Sequence, residues 1–403
     1  MNRSLRYFLR PLTASRRIPY LYTTFAGRKG AMAHLATRAT AQAAAVNGGP
    51  NNWHGAGAAE FDLRSDTMTK PTISMLDAIS RTTLLDDVFK EDPLTNDLQQ
   101  YVAKRTEHQD ALLVLSGTMG NQVAIRSHLA QPPYAVLCDS RSHIICYEAG
   151  GNGIHLTLED IQKHAVLDDD IHHCPTKLIS LENTLNGMVM PLSELRRITE
   201  WSHANDIKVH LDGARLWEAV ASGAGSLTDF TSLVDSVSLC FSKGLGAPIG
   251  SIIVGSESFI KKARWFRKSI GGGARQTGLF AAPAWIALDE TFGTDGHGRT
   301  GKLAATHAKA KRVADLWTSR GGKLQYPVHT NMVWLDLEAS GVGPNDLAVI
   351  GEEKGLKLSG GRLVVHYQVS DEAIARLEQV LETAIKGEYQ RSRDLSKPYG
   401  SSK

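Results

Sequence analysis

Val237-Ser238-Leu239-Cys240-Phe241-Ser242-Lys243-Gly244-Leu245-Gly246 is the stretch from which this chain is read. The apolar run Val237–Phe241 reads as a strand. It ends in a lysine flanked by small residues. A lysine held there has its amine still at the edge of a sheet, with room beside it. An aldehyde cofactor needs such a group, a nucleophilic nitrogen that forms a Schiff base and is released again. Alone the motif is weak evidence, because most lysines are solvated surface charges. Two stretches upstream give it meaning.

In Lys208-Val209-His210-Leu211-Asp212-Gly213-Ala214-Arg215 a second apolar strand ends on Asp212. A carboxylate low in solvent needs a cationic partner. The protonated pyridine nitrogen of pyridoxal phosphate is one, and keeping it protonated makes the ring an electron sink. The ordinary alternative is a surface pair between Asp212 and Arg215. In Leu112-Leu113-Val114-Leu115-Ser116-Gly117-Thr118-Met119-Gly120-Asn121 a strand enters a small-residue turn and a helix follows over Gln122–Leu129. Backbone N–H groups at such a helix start, with Ser and Thr hydroxyls, bind a phosphate; the ordinary alternative is a plain N-cap. Phosphate cradle, strand-end Asp212 and Lys243, in that order, make a specific constellation.

Around these motifs short apolar runs alternate with helical stretches. Leu112–Leu115, Ala135–Cys138, Lys177–Leu181, Lys208–Leu211, Val237–Phe241 and Ser251–Val254 read as strands. Thr95–Thr106, Gly120–Leu129 and Leu192–Ala204 read as helices between them. The fold class is therefore α/β, a mostly parallel sheet flanked by helices. Ligands of such sheets bind beyond the carboxyl ends of the strands. After the glycine-rich break Gly293–Gly301 the pattern changes to a long helix over Lys302–Arg320, strands near Met332–Leu337 and Arg362–Tyr367, and a last helix near Asp371–Ile385. This predicts a large cofactor-binding domain over 60–292, a smaller α+β domain over 293–388 and a polar tail over 389–403.

The net charge of +3 conceals an asymmetry. Residues 1–59 hold eight of the 45 Lys and Arg residues and none of the 42 Asp and Glu residues, so the body carries 37 basic against 42 acidic groups. A basic surface for nucleic acid is not expected. The leader is Arg-rich, acid-free and dotted with Leu, Tyr and Phe, the marks of a mitochondrial presequence. Met32 offers an internal start that would leave the product cytoplasmic. Ala41–Ala59 reads as linker. No apolar run approaches the roughly 20 residues of a membrane span. Cys138, His143 and Cys146 match no zinc spacing, and no metal is expected.

Taken together, these stretches resemble the threonine aldolases, within the fold-type I pyridoxal-phosphate enzymes. The resemblance covers residues 61–385 and adds Asp62-Leu63-Arg64-Ser65-Asp66-Thr67, Asp86-Asp87-Val88-Phe89, Glu182-Asn183-Thr184 and Gly271-Gly272-Gly273-Ala274-Arg275-Gln276. It implies that Lys243 carries the cofactor and Asp212 meets the pyridine nitrogen. Arg215 would lie near the ring oxygen and the substrate carboxylate. His143 would stack on the ring, and Gly117 and Thr118 would hold the phosphate. Ser65 and Arg362 would clamp the substrate carboxylate, a task that suits a guanidinium fork. Lys268 and Arg275 match positions that reach a neighbouring subunit's site, so a dimer or tetramer would be the active form.

The implied reaction is retro-aldol cleavage of L-threonine or L-allo-threonine to glycine and an aldehyde. Three departures bear on it. Leu185 and Asn186 stand where the family carries a histidine often proposed as the base, which leaves His143, a water or the phosphate. Phe89 stands for a tyrosine. The segment after Tyr147-Glu148-Ala149-Gly150-Gly151 is short by about one strand, and an unpaired neighbour would be costly. Two other readings stay open: an alanine racemase on the same frame, and a non-catalytic relic acting as a subunit partner.

Overall fold

The computed structural model describes residues 53–129, 131–146, 156–168 and 170–389. Most of the leader, the shortened segment after Tyr147 and nearly all of the tail lie outside the described residues. Where residues 41–59 enter the described part they are not a loose linker. Trp53 packs against the main core, and Gly57–Phe61 forms a 3₁₀ helix with Ala59 buried. Trp53 anchors that stretch by apolar contact, which the Ala/Gly composition around it obscures.

Six strands build the main sheet: β1 (Asp110–Val114), β2 (Ala135–Cys138), β3 (Thr176–Glu182), β4 (Lys208–Gly213), β5 (Ser236–Cys240) and β6 (Ser251–Gly255). Their order is β1-β6-β5-β4-β3-β2, and β2 to β5 run parallel while β6 is antiparallel to both β1 and β5. Helices cover both faces, as a mostly parallel sheet requires. The alternation is visible along β1. Leu112 and Val114 face the cluster formed with Ile253, Phe259 and Ile260, whereas Ala111 and Leu113 join the larger core with Ile252 and Val254. The helices that matter most for the site are α1 (Pro93–Arg105), α2 (Gly117–His128), α3 (Leu192–Ala204) and α4 (Glu257–Ser269). β2 ends the sheet among the described residues, and all four of its residues are only half-buried. A short edge strand limits the exposed ladder that the missing segment was expected to leave.

The last third carries α5 (Leu303–Thr318), α6 (Asp346–Glu353) and α7 (Asp371–Lys386) against an antiparallel sheet of β7 (Lys323–Leu324), β8 (Met332–Asp336) and β9 (Arg362–Val364). β9 stops three residues short of the expected Tyr367 end. Its core has Trp317, Val333, Leu335, Leu363 and Leu377 at the centre, and Leu63 from the amino-terminal segment joins it. No helix among the described residues is long and apolar enough to cross a membrane.

Candidate active site

Strand order sets the site. The carboxyl ends of β1, β5, β4, β3 and β2 lie on one edge, and they present in turn Ser116–Thr118, Lys243, Asp212, Glu182 and His143. α2 begins at Gly117, three residues earlier than the helix read from the sequence, because Ser116 caps it: its Oγ accepts from Met119 N at 3.1 Å. Gly117 is half-buried and Thr118 exposed, so the first turn opens to solvent at the sheet edge. Its amides have no partner within the helix and suit an anion.

The small residues beside Lys243 have specific causes. A Cβ on Gly244 would lie 2.4 Å from the Glu218 carboxylate. Gly246 has φ +87° and sits against the Tyr367 hydroxyl, so two separate constraints demand glycine there. Glu218 is buried and accepts from His307 Nε2 at 2.6 Å. Burial raises the Glu218 carboxyl, and the bond from His307 opposes the rise. Thr69 Oγ1 donates to the Lys243 carbonyl at 2.9 Å, which ties the lysine to the Ser65–Thr69 turn. Lys243 itself stays half-buried, reachable from the cleft.

Asp212 is 3% exposed. Its Oδ2 accepts from Asn121 Nδ2 at 2.8 Å and its Oδ1 from Ala214 N at 3.0 Å, both neutral donors. The surface pair with Arg215 does not form. Arg215 instead grips Asp66 with Nε and Nη2 at 2.8 and 2.6 Å. Burial opposes the Asp66 charge, but Arg215, with Lys243 and Arg362 nearby, holds its carboxyl well below the usual range. With its Nε/Nη2 edge committed to Asp66, Arg215 keeps its Nη1/Nη2 edge to offer a ligand. Asp66 stands inside a motif already singled out; its service to Arg215 was invisible because 149 residues separate the two.

Glu182 is the other residue missed. It pairs in register with Asp212 across β3 and β4, and its Oε2 accepts from His143 N at 2.7 Å. Burial, followed by the Asp212 charge, pushes its carboxyl up to about 8. Two carboxyls side by side, one held neutral, is how a crowded site avoids like-charge repulsion. The strand reading stopped at Leu181 and so left Glu182 outside the sheet.

Arg362 Nη1 donates to the Arg64 carbonyl at 2.8 Å, which places its guanidinium beside Ser65. Ser65 Oγ accepts from Thr67 N at 3.2 Å and caps its own turn. Lys268 is exposed at the last turn of α4, and Arg275, 75% exposed, pairs with Asp86 at 3.2 Å. Neither meets Lys243 through a described contact within one chain. Phe89, 73% exposed, likewise lies at the surface of the single chain rather than in its cleft. Leu185 is buried and pairs with Met188 across the turn residues Asn186 and Gly187, at φ +54° and +81°. Trp334 Nε1 donates to the Asn186 carbonyl and Thr330 Oγ1 to that of Gly187. The usual histidine is thus replaced by a pinned hairpin turn of the Asn-Gly type.

A buried carboxylate with only neutral hydrogen-bond partners calls for a cation. Pyridoxal phosphate would supply one at its ring nitrogen, with Lys243 as the amine for its aldehyde and the start of α2 for its phosphate. Fold and site together define a pyridoxal-phosphate enzyme of fold type I. A family model, the beta-eliminating lyases, matches residues 62–340. An aldolase of Penicillium aethiopicum is 51% identical over 358 residues, covering 85% of this chain and 91% of the relative. An alanine racemase of Cochliobolus carbonum is 42% identical, covering 83% and 90%. The low-specificity L-threonine aldolase of Eremothecium gossypii is 44% identical, covering 80% and 87%. The fold matches that of the Leishmania major threonine aldolase with a TM-score of 0.67 at 20% identity, covering 81% and 99%. The chain belongs to the beta-eliminating lyase family and, within it, groups with the threonine aldolases as a pyridoxal-phosphate-dependent lyase.

Proposed function

We propose that this enzyme cleaves L-threonine and L-allo-threonine to glycine and acetaldehyde. The observation that carries the reading is Lys243 at the end of β5, one strand from buried Asp212, with Arg362 beside Ser65 across the cleft. When bound, the cofactor supplies a sink for the electron pair left at Cα. Asp212 holds the proton on its ring nitrogen. Arg362 and Ser65 receive the substrate carboxylate and turn the Cα–Cβ bond. The β-hydroxyl proton leaves, the Cα–Cβ bond breaks, the carbonyl of the aldehyde forms, and a proton returns to Cα. Leu185 and Asn186 offer no basic nitrogen, so the hydroxyl proton passes to His143, a water or the cofactor phosphate.

The same loss favours a second reading, alanine racemisation, which needs no base at a β-hydroxyl; the Cochliobolus relative supports it. Purified enzyme incubated with L-allo-threonine should release acetaldehyde, and Lys243→Ala should not. Formation of D-alanine from L-alanine, with no acetaldehyde, would replace the first reading by the second. Loss of both reactions in a protein whose Lys243 takes up no cofactor would leave only a partner role.

We also propose a homo-oligomer. Leu84, Leu85, Phe89, Trp265 and Leu279 are exposed. Arg267–Asp87 at 2.6 Å and the Asp86–Gln276 bridge hold their segments together. An apolar surface of this kind marks an interface, and it lies beside Lys268 and Arg275.

A further inference from the structure

The sheet face beneath α2 is polar where a doubly covered sheet is normally apolar. Ser180, His210, Asp212, Ser236 and Ser238 are each at most 3% exposed, and Asn121 of α2 lies among them at 1%. His210 and Asp212 share one face of β4, two residues apart, and His210 pairs in register with Ser236. Small side chains let α2 approach closely, since a Cβ on Gly120 would lie 2.6 Å from Ser238 Oγ. Close approach explains the serines. It does not explain a fully buried histidine and asparagine.

Their hydrogen bonds form a chain, and a single proton on His210 sets its direction at each link. Asn121 Nδ2 donates to Asp212 Oδ2 at 2.8 Å, so the amide Oδ1 can only accept. His210 Nε2 lies 3.3 Å from that oxygen and must carry the ring proton. With one proton on the ring, Nδ1 is bare and takes the Ser236 hydroxyl at 2.8 Å. The Ser236 oxygen is then left to accept from His128 Nε2 at 2.7 Å. Every donor points toward Asp212. His128 stacks on Phe259 at 4.5 Å and lines a cavity of about 500 Å³ at the opposite end of the sheet, with Lys208, Asp235 and Lys262. Burial pushes the His128 imidazole down to about 3, so it acts as a neutral donor.

We propose that Asn121, His210, Ser236 and His128 are positioning residues that clamp the Asp212 carboxylate, in plane and in charge, for the cofactor's ring nitrogen. The clamp closes both oxygens: the chain ends on Oδ2, and Ala214 N holds Oδ1. Aligned donors strengthen one another and favour the ionised carboxylate. The role rests on the assignment of Asp212 to the ring nitrogen, and the test separates the two.

The first arm needs no cofactor. In apoenzyme labelled with [15N]histidine, His210 should be the Nε2–H tautomer and His128 should stay neutral at pH 6. A His210 ring protonated on Nδ1, singly or doubly, would overturn the chain. The second arm uses the loaded enzyme with [15N]pyridoxal phosphate. Ser236→Ala should shift the ring-nitrogen resonance toward the unprotonated form and weaken cofactor binding by about tenfold, as for one lost hydrogen bond. Ser236→Thr, which keeps the hydroxyl, should restore both. An unchanged resonance and affinity in Ser236→Ala would sink the proposal. A wild-type ring nitrogen that is unprotonated would sink the Asp212 assignment instead, whatever the tautomer of His210.

Discussion

Glu182→Gln isolates the electrostatics of the site. The amide keeps the shape of the side chain and an oxygen for the His143 N–H, but it cannot ionise. In the wild type, burial and the Asp212 charge raise the carboxyl from 4.5 to about 8. A carboxyl raised on folding stabilises the fold fully below its unfolded value and loses that contribution as pH climbs through the folded value. At about 1.4 kcal/mol per unit the rise amounts to about 5 kcal/mol, and solvent at the partly open strand end trims this to about 3 to 5 kcal/mol. Wild-type stability should therefore fall relative to Glu182→Gln between pH 4.5 and 8, with the two proteins close at pH 4.5 and the variant the more stable at pH 9. Urea titration of the apoenzymes at a series of pH values measures the difference, and the apo form removes the cofactor's own linkage. Parallel stability curves across that range would show that Glu182 ionises as an ordinary carboxyl, and the argument for a neutral partner beside Asp212 would fail.

Other expectations follow from the same contacts. Asp66→Asn leaves Arg215, whose side chain is only 13% exposed, without its charged partner and should cost about 3 to 5 kcal/mol in urea denaturation; a loss below about 1 kcal/mol would place the pair in solvent. Gly246→Ala puts a Cβ against the Tyr367 hydroxyl at φ +87°, and should lower stability by about 1 to 3 kcal/mol, checked by thermal melting. Phe89→Asp charges the exposed apolar surface, and sedimentation should show smaller assemblies than wild type; an unchanged sedimentation coefficient would move the interface elsewhere.

The chain's local chemistry was readable without coordinates. Strands leading to Asp212 and Lys243 follow from apolar runs that stop at a polar residue, whereas the start of α2 was read three residues late, since the Ser116 cap shows only in the structure. Those signals depend on neighbours in sequence, as does the alternation that predicts a parallel sheet. What tertiary structure alone decided is which charges share a dielectric. Arg215 turns away from Asp212, three residues off, and takes Asp66 across 149 residues. Glu182 meets Asp212 only because β3 and β4 are in register. His210, an ordinary strand residue in the sequence, joins Asp212 through an asparagine 89 residues away. Hydrophobic periodicity records which side of a strand is buried. It holds no record of what stands opposite, and the free energy of a buried charge depends on that.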